Sequence, residues 1–260
     1  MNSQRCFGVV TGAGSGIGRA VAIELSKEPV TVLAVGRRHS ALEKTAELAS
    51  GDVMTLSADV STDAGRSAIF AALGEDSVVN YLVHGAGVLP IQKLGDITSR
   101  TWREIMATNV DARLFLTQSL ISKLAGDGRV LFIGSMSATK ARKGSAGYCT
   151  SLAASFMLHQ CLKLELAEHD IYVANAIPGP VNTRILRDSM AADPDVFPDS
   201  AEYYALRKAG RLIEPATVGR FYRWLLTQTD NETYSTASWD IRDETHHRAW
   251  LGDADLYGHG

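Results

Sequence analysis

The sequence predicts one α/β domain, a doubly wound parallel sheet with helices on both faces, and three observations predict it. Short apolar runs alternate with longer stretches of helical spacing through most of the 260 residues. The apolar runs are nearly continuous rather than alternating, as in strands buried on both faces. A glycine-rich turn follows the first of them and opens the first helical pattern.

The elements follow in order. A strand is expected over residues 6–10 and a helix over 16–26, then a strand at 30–35 and a helix near 40–49. Residues 53–56 and 78–83 read as further strands. Residues 101–124 have the spacing of one long helix, 129–133 of the next strand, 147–167 of another long helix and 171–177 of another strand. Alternation of this kind implies right-handed crossovers and a parallel sheet. No repeat or low-complexity linker divides the chain, so residues 1–260 are expected to form a single domain. From Leu186 to Lys208 the rhythm breaks: Pro194, Pro198, several acids and the exposed-looking Phe197, Tyr203 and Tyr204 occur together. A long irregular segment inside a domain is usually a lid or binding loop, and 186–208 is read as a substrate lid.

Composition excludes several classes. Hydrophobic residues make up 45% and charged residues 21%, and the net charge is −3, so there is no basic footprint for nucleic acid. No segment approaches 18 unbroken apolar residues and no signal-like leader is present, so no membrane partner is expected and the chain reads as cytoplasmic. Cys6, Cys149 and Cys161 lack metal-type spacing and suit free thiols in a reducing compartment. The pair His246-His247 has no further ligand pattern, and no metal site is expected.

The turn Thr11-Gly12-Ala13-Gly14-Ser15-Gly16-Ile17-Gly18 lies between strand and helix. Its glycines allow a tight bend and a close approach to a pyrophosphate, and the helix N-terminus offers free N–H groups and positive dipole. Gly12, Ser15, Gly16, Ile17 and Gly18 are therefore candidate dinucleotide contacts. An NAD site places an acid about 20 residues further on, at the end of the second strand. Here Gly36 stands there, followed by Arg37 and Arg38. Guanidinium groups bind a 2′-phosphate that a carboxylate would repel, so NADP(H) is expected in preference to NAD(H). Asp59 and Val60, after the third strand, are placed to flank the adenine.

In these motifs the chain resembles the short-chain dehydrogenase/reductase family, over nearly its whole length. The glycine turn matches at residues 11–18. The family's fourth-strand Asn-Asn-Ala-Gly corresponds to His84-Gly85-Ala86-Gly87, its helix asparagine to Asn109, and its catalytic serine to Ser135, 13 residues before Tyr148. Residues 178–183, Pro-Gly-Pro-Val-Asn-Thr, match the segment that holds the nicotinamide carboxamide. Tyr148-Cys149 and Gly210-Arg211-Leu212 are similar to the sepiapterin and benzil reductase branch.

The resemblance implies a Rossmann-type sheet of about seven strands, and hydride transfer between nicotinamide and a small carbonyl or alcohol. Tyr148 would act as general acid, Ser135 would hydrogen-bond the same oxygen, and Asn109 would hold a water in a proton relay. Ala86, Gly87, Pro178, Gly179, Val181 and Thr183 would contact cofactor, and Met190 substrate beside Ser135 and Tyr148. The family pairs through its long helices, which implies a homodimer or homotetramer.

One position departs from the pattern. Leu152 follows Tyr148 by four residues, one helical turn, where the family carries a lysine that binds the nicotinamide ribose and lowers the tyrosine pKa. A free phenol titrates near 10, so only about one in a thousand is ionised at pH 7. A shift of about three units would need about 4 kcal/mol, and leucine supplies none of it. Alcohol oxidation, which needs the phenolate, should suffer most, and any activity should favour reduction. Lys140, Arg142 and Lys143 lie between Ser135 and Tyr148; they read as solvated loop charges, with rescue by Lys140 or Lys143 the lesser alternative. The alternative is a non-catalytic NADP(H)-binding protein, a sensor or a subunit.

Overall fold

In the computed structural model, which describes residues 5–258, seven parallel strands form one sheet. They are β1 (Arg5–Thr11), β2 (Thr31–Gly36), β3 (Val53–Ser57), β4 (Ser77–His84), β5 (Leu124–Ile133), β6 (Tyr172–Ile177) and β7 (Trp239–Asp240). Their order is β3-β2-β1-β4-β5-β6-β7. The order reverses between β1 and β4, so a crevice opens beyond the carboxyl ends of these two strands.

Alternation along the strands divides the core in two. Val10, Ala34, Val83, Leu131 and Ala174 share one face, and register pairs Val10 with both Ala34 and Val83. This face packs against α1 (Gly16–Leu25) through Val21 and Leu25, and the later helix at Pro215–Gln228 through Val218, Phe221, Tyr222 and Leu225. Phe7, Val9, Leu82, Val130 and Phe132 share the other face. There α3 (Asp63–Leu73), following α2 (His39–Leu48), contributes Ile69 and Leu73.

The expected helix at 101–124 is three pieces: α4 (Ser99–Met106), a π-helical turn at Ala107–Asp111, and α5 (Ala112–Leu120). The wide turn is centred on Asn109, whose side chain bonds backbone outside its own helix (below). After Leu120 the chain tightens into a 3₁₀ turn, and β5 begins at Leu124, five residues ahead of its expected start at 129. Lys123 Nζ fastens this junction to the end of α3 by donating to Gly74 O at 2.5 Å and Glu75 O at 3.1 Å. The next long helix, α6 (Ala146–Leu166), agrees with expectation within one residue at each end.

The segment expected to be irregular folds into α7 (Arg184–Met190) and α8 (Asp199–Lys208). Thr183 caps α7, accepting from Leu186 N. Phe197, read as exposed, is 1% exposed and stacks on Tyr203 at 6.1 Å, whereas Tyr204 is 62% exposed. Proline and acid content concealed two short helices, neither long enough to show a clear period.

Helix α9 (Pro215–Gln228) packs beside α1, and α10 (Asn231–Thr236) precedes β7. His246 and His247 serve this end of the sheet. Their Nε2 atoms bond Asp240 O and Ile241 O, and His246 stacks on Phe221. Among the described residues no three potential metal ligands gather, and no helix is long and apolar enough to cross a membrane.

Two buried histidines make stability acid-sensitive. Burial, with Lys163 nearby, pushes His159 down to about 4, and burial, with Arg113 nearby, holds His84 well below its ordinary value. Each binds a proton in the unfolded chain at a higher pH than in the folded one. Their contribution is therefore present above about 6.5 and is lost as pH falls below it. Denaturant unfolding should give a plateau above pH 6.5 and a progressive fall toward pH 4, with a shallower fall in His159→Phe.

Candidate active site

The crevice at the sheet reversal is a cleft of about 560 Å³. Its floor is two turns pressed together. The Thr11 hydroxyl donates to Val83 O at 3.2 Å and accepts from Gly85 N at 3.0 Å and Ala86 N at 3.2 Å. A Cβ on Gly12, where φ is +70°, would lie 2.6 Å from Gly85 O, and one on Gly18 would lie 2.4 Å from Gly12 O. A Cβ on Gly85 would meet Thr11 O at 2.5 Å. The chain therefore has no room for the side chain that the family pattern places at Gly85. Arg19, which sequence reasoning passed over, braces the turn from behind by donating to Gly14 O and Ala41 O.

Gly12, Ser15, Gly16, Ile17 and Gly18 all line the cleft, and α1 points its N-terminus into it. Arg37 and Arg38, both exposed, line the same end, with Asp59 and Val60 beside them. Burial raises the Asp59 pKa, but hydrogen bonds from Ser61 and the charge of Arg37 outweigh it and hold the carboxyl below its ordinary value. Ala86 and Gly87 lie on the β4 side. Pro178, Gly179, Val181 and Thr183 close the far wall, where Asn182 N donates to Ile213 O and Ile213 N to Pro180 O, both at 2.9 Å.

Ser135 and Tyr148 both line the cleft, and the Ser135 hydroxyl acts to lower the pKa of the phenol. Ser135 Oγ also accepts from Ser137 N at 3.1 Å, which fixes the hydroxyl at the end of β5. Burial raises the Tyr148 pKa above 10, and Cys149 adds to the rise. Ser135, Arg113 and Arg142 act in the opposite direction without reversing it. The phenol is neutral at physiological pH.

Asn109 is fully buried. Its Oδ1 accepts from Val88 N at 2.9 Å, and its Nδ2 donates to Val88 O at 3.0 Å and Ser151 Oγ at 2.9 Å. Both amide hydrogens are thus spent on protein, and the side chain braces the strand-end loop against α6.

Leu152 is 4% exposed and lines the cleft one turn beyond Tyr148. Lys140 and Lys143 are exposed and do not line it, as solvated loop charges would be. Two arginines do. Arg142 pairs with Asp199 at the start of α8, donates to Ser137 Oγ at 3.2 Å and lies over the Tyr203 ring at 5.6 Å. Arg113, on α5, lines the cleft together with Leu152 and bonds Ser155 on α6. It was missed because it sits in the apolar stretch Ala112-Arg113-Leu114-Phe115-Leu116, although its place four residues after Asn109 puts both on one helix face. Met190, the expected substrate contact, lies at the end of α7 and does not line the cleft. Ile185, Leu186 and Ser189 line it instead.

The short chain dehydrogenase family model matches residues 8–194. The chain belongs to this family. Among relatives of this short-chain dehydrogenase, a sepiapterin reductase from Chlorobaculum tepidum is 33% identical over 190 residues, covering 67% of this chain and 77% of the relative. A benzil reductase from Bacillus cereus is 26% identical over 230 residues, covering 84% and 92%. A crystal structure described as an NAD(P)-dependent gluconate 5-dehydrogenase from Beutenbergia cavernae, with bound NADP, superposes with a TM-score of 0.74 at 27% identity. The match covers 92% of this chain and 94% of that one. The protein is an oxidoreductase of the short-chain dehydrogenase type.

Because the cleft floor depends on backbone contact at Gly85, Gly85→Ala should destabilise the fold by about 1–3 kcal/mol, the cost of overpacking. Chemical denaturation measures this directly. Asn109→Ala should also lose about 1–3 kcal/mol, since Val88 N–H and C=O lose their side-chain partners.

Proposed function

We propose that the protein is an NADP(H)-dependent reductase of a small carbonyl compound. One observation carries the reading: the Ser135–Tyr148 hydroxyl pair and the glycine turn share a single cleft. The residues present fit the cofactor. Gly12 and Gly18 let the first turn close against the end of β4 and upon itself, which holds the N-terminus of α1 at the cleft, and α1 directs free N–H groups there. Arg37 and Arg38 supply two exposed guanidinium groups at the adenosine end, where NAD sites place an acid. When bound, the reduced nicotinamide supplies hydride to the carbonyl carbon.

The chain's own residues handle the oxygen and the proton. Ser135 Oγ, fixed by Ser137 N, hydrogen-bonds the carbonyl oxygen and orients it. The Tyr148 hydroxyl donates its proton to that oxygen, and the resulting phenolate recovers a proton from solvent. A neutral phenol is the competent form for this direction, and burial keeps Tyr148 neutral. The segment 186–208 acts as the substrate lid. Leu186, Phe197 and Tyr203 line the cleft there and suit an apolar or aromatic substrate. The sepiapterin and benzil reductase relatives support the same branch. Exposed Phe115 on α5 and Met157 and Leu164 on α6 support pairing into a homodimer or homotetramer.

A second reading, cofactor binding without turnover, is favoured by Leu152 alone. NADPH titration followed by a panel of ketones and aromatic diketones separates the two, since tight binding with no reduction of any of them would leave only the second.

Calorimetry should give a tighter Kd for NADPH than for NADH. Arg37→Glu/Arg38→Glu should remove that preference, at about 10- to 100-fold per arginine for charge-assisted hydrogen bonds. Tyr148→Phe should lower kcat for reduction by about 10²–10⁴-fold and leave NADPH affinity intact. In the unmodified protein the reduction rate should stay level from neutral pH to about 10, while any alcohol oxidation should rise with pH.

A further inference from the structure

Arg113 is 5% exposed, and among the described residues no carboxylate pairs with it. Its Nη1 donates to Ser155 Oγ at 2.9 Å, and both Nη atoms reach Ile133 O at 3.3 Å. Its Nε has no partner. The guanidinium lies over the Phe132 ring at 5.5 Å and lines the cleft together with Leu152 and Tyr148. Burying a charge without a counter-ion is costly, so its retention calls for something in the site that gains from it.

The helix geometry says where the charge acts. Arg113 follows Asn109 by one turn of the π-interrupted helix. Its anchor Ser155 follows Leu152 by three residues on the same face of α6. The guanidinium therefore reaches the neighbourhood of the missing lysine from the opposite helix. Two phenols feel it, Tyr148 and Tyr222. Tyr222 donates to Ala176 O at 2.9 Å in the core, which leaves Tyr148 as the one in the cleft.

We propose that Arg113 replaces, from α5, the cation absent at Leu152 and stabilises the deprotonated form of Tyr148. This rests on the reductase reading of the same site. Arg113 acts through the phenol and is a positioning residue. Other groups facing Tyr148 are Ser135 at the β5 end, Arg142 in the loop before α6, Cys149 on α6 and Tyr203 on α8. His84 faces Arg113 itself and, buried and hydrogen-bonded to the Thr117 hydroxyl at 2.8 Å, remains neutral. Arg142 is engaged by Asp199, whereas Arg113 has no such acid. Burial lowers the Arg113 pKa, yet a guanidinium keeps its charge through the range in which a phenol titrates.

The test compares Arg113→Gln, Arg113→Lys, Leu152→Lys and the double variant Arg113→Gln/Leu152→Lys. One readout needs no turnover: ultraviolet difference titration of tyrosine in the cofactor-free protein, with Tyr148→Phe identifying the Tyr148 component. The other is the pH profile of alcohol oxidation. Arg113→Gln should move both midpoints alkaline by about one unit or more, the usual effect of losing a neighbouring opposite charge. Arg113→Lys should move them less, and the double variant should restore them. Unmoved midpoints in a folded Arg113→Gln protein overturn the proposal. If Arg113→Gln does not fold, the double variant decides: a midpoint close to that of the unmodified protein sustains the proposal, and an alkaline one overturns it. Retained reduction in Tyr148→Phe overturns the reductase mechanism itself, a failure separate from that of Arg113.

Discussion

The Thr11 hydroxyl holds three backbone groups from the end of β4, one as donor and two as acceptor. This small network draws the first turn and the fourth strand into backbone contact at the point where the sheet reverses. The cleft is open above it because the connections leave in opposite directions there. Its floor is glycine because the two turns approach within a distance that excludes any Cβ. The placing of Ser135 then follows from the sheet. Register pairs Val83 with Leu131 and His84 with Phe132, so β5 ends beside β4 and delivers the serine to the same level.

Above that floor the decisive quantity is charge. Tyr148 is half-buried in the cleft, and that burial favours the neutral phenol. Reduction uses that form and oxidation does not. An active site of this kind can run in one direction with little electrostatic help. On the reading proposed above, the cation on α5 would bear chiefly on the other direction.

Much of this was legible in the sequence because it depends on local pattern. The strands announced themselves as continuous apolar runs, and the glycine turn by its place between strand and helix. His84 and the His246-His247 pair behaved as structural groups. What escaped notice depended on tertiary context. The helix expected over 101–124 is broken at Asn109, because an amide that bonds backbone across space leaves no trace in periodicity. Helices α3 and α9 went unassigned. Phe197 looked exposed because its neighbours are proline and acid, yet it is packed beneath α8. Arg113 is hidden by apolar neighbours, whereas Lys140 and Lys143 lie nearer Tyr148 in the chain but face solvent.

Arg142 joins parts that are far apart in sequence. It touches Ser137 in the loop after β5, pairs with Asp199 at the head of α8, and covers Tyr203. Its charge also reaches Tyr148. Substitutions at these positions are therefore epistatic, because each changes what the guanidinium offers the rest. Grafting residues 184–208 from another member of the family, with no acid at position 199, would leave Arg142 without its counter-ion and alter the acidity of the phenol. In this scaffold, engineered selectivity and proton transfer are inherited together.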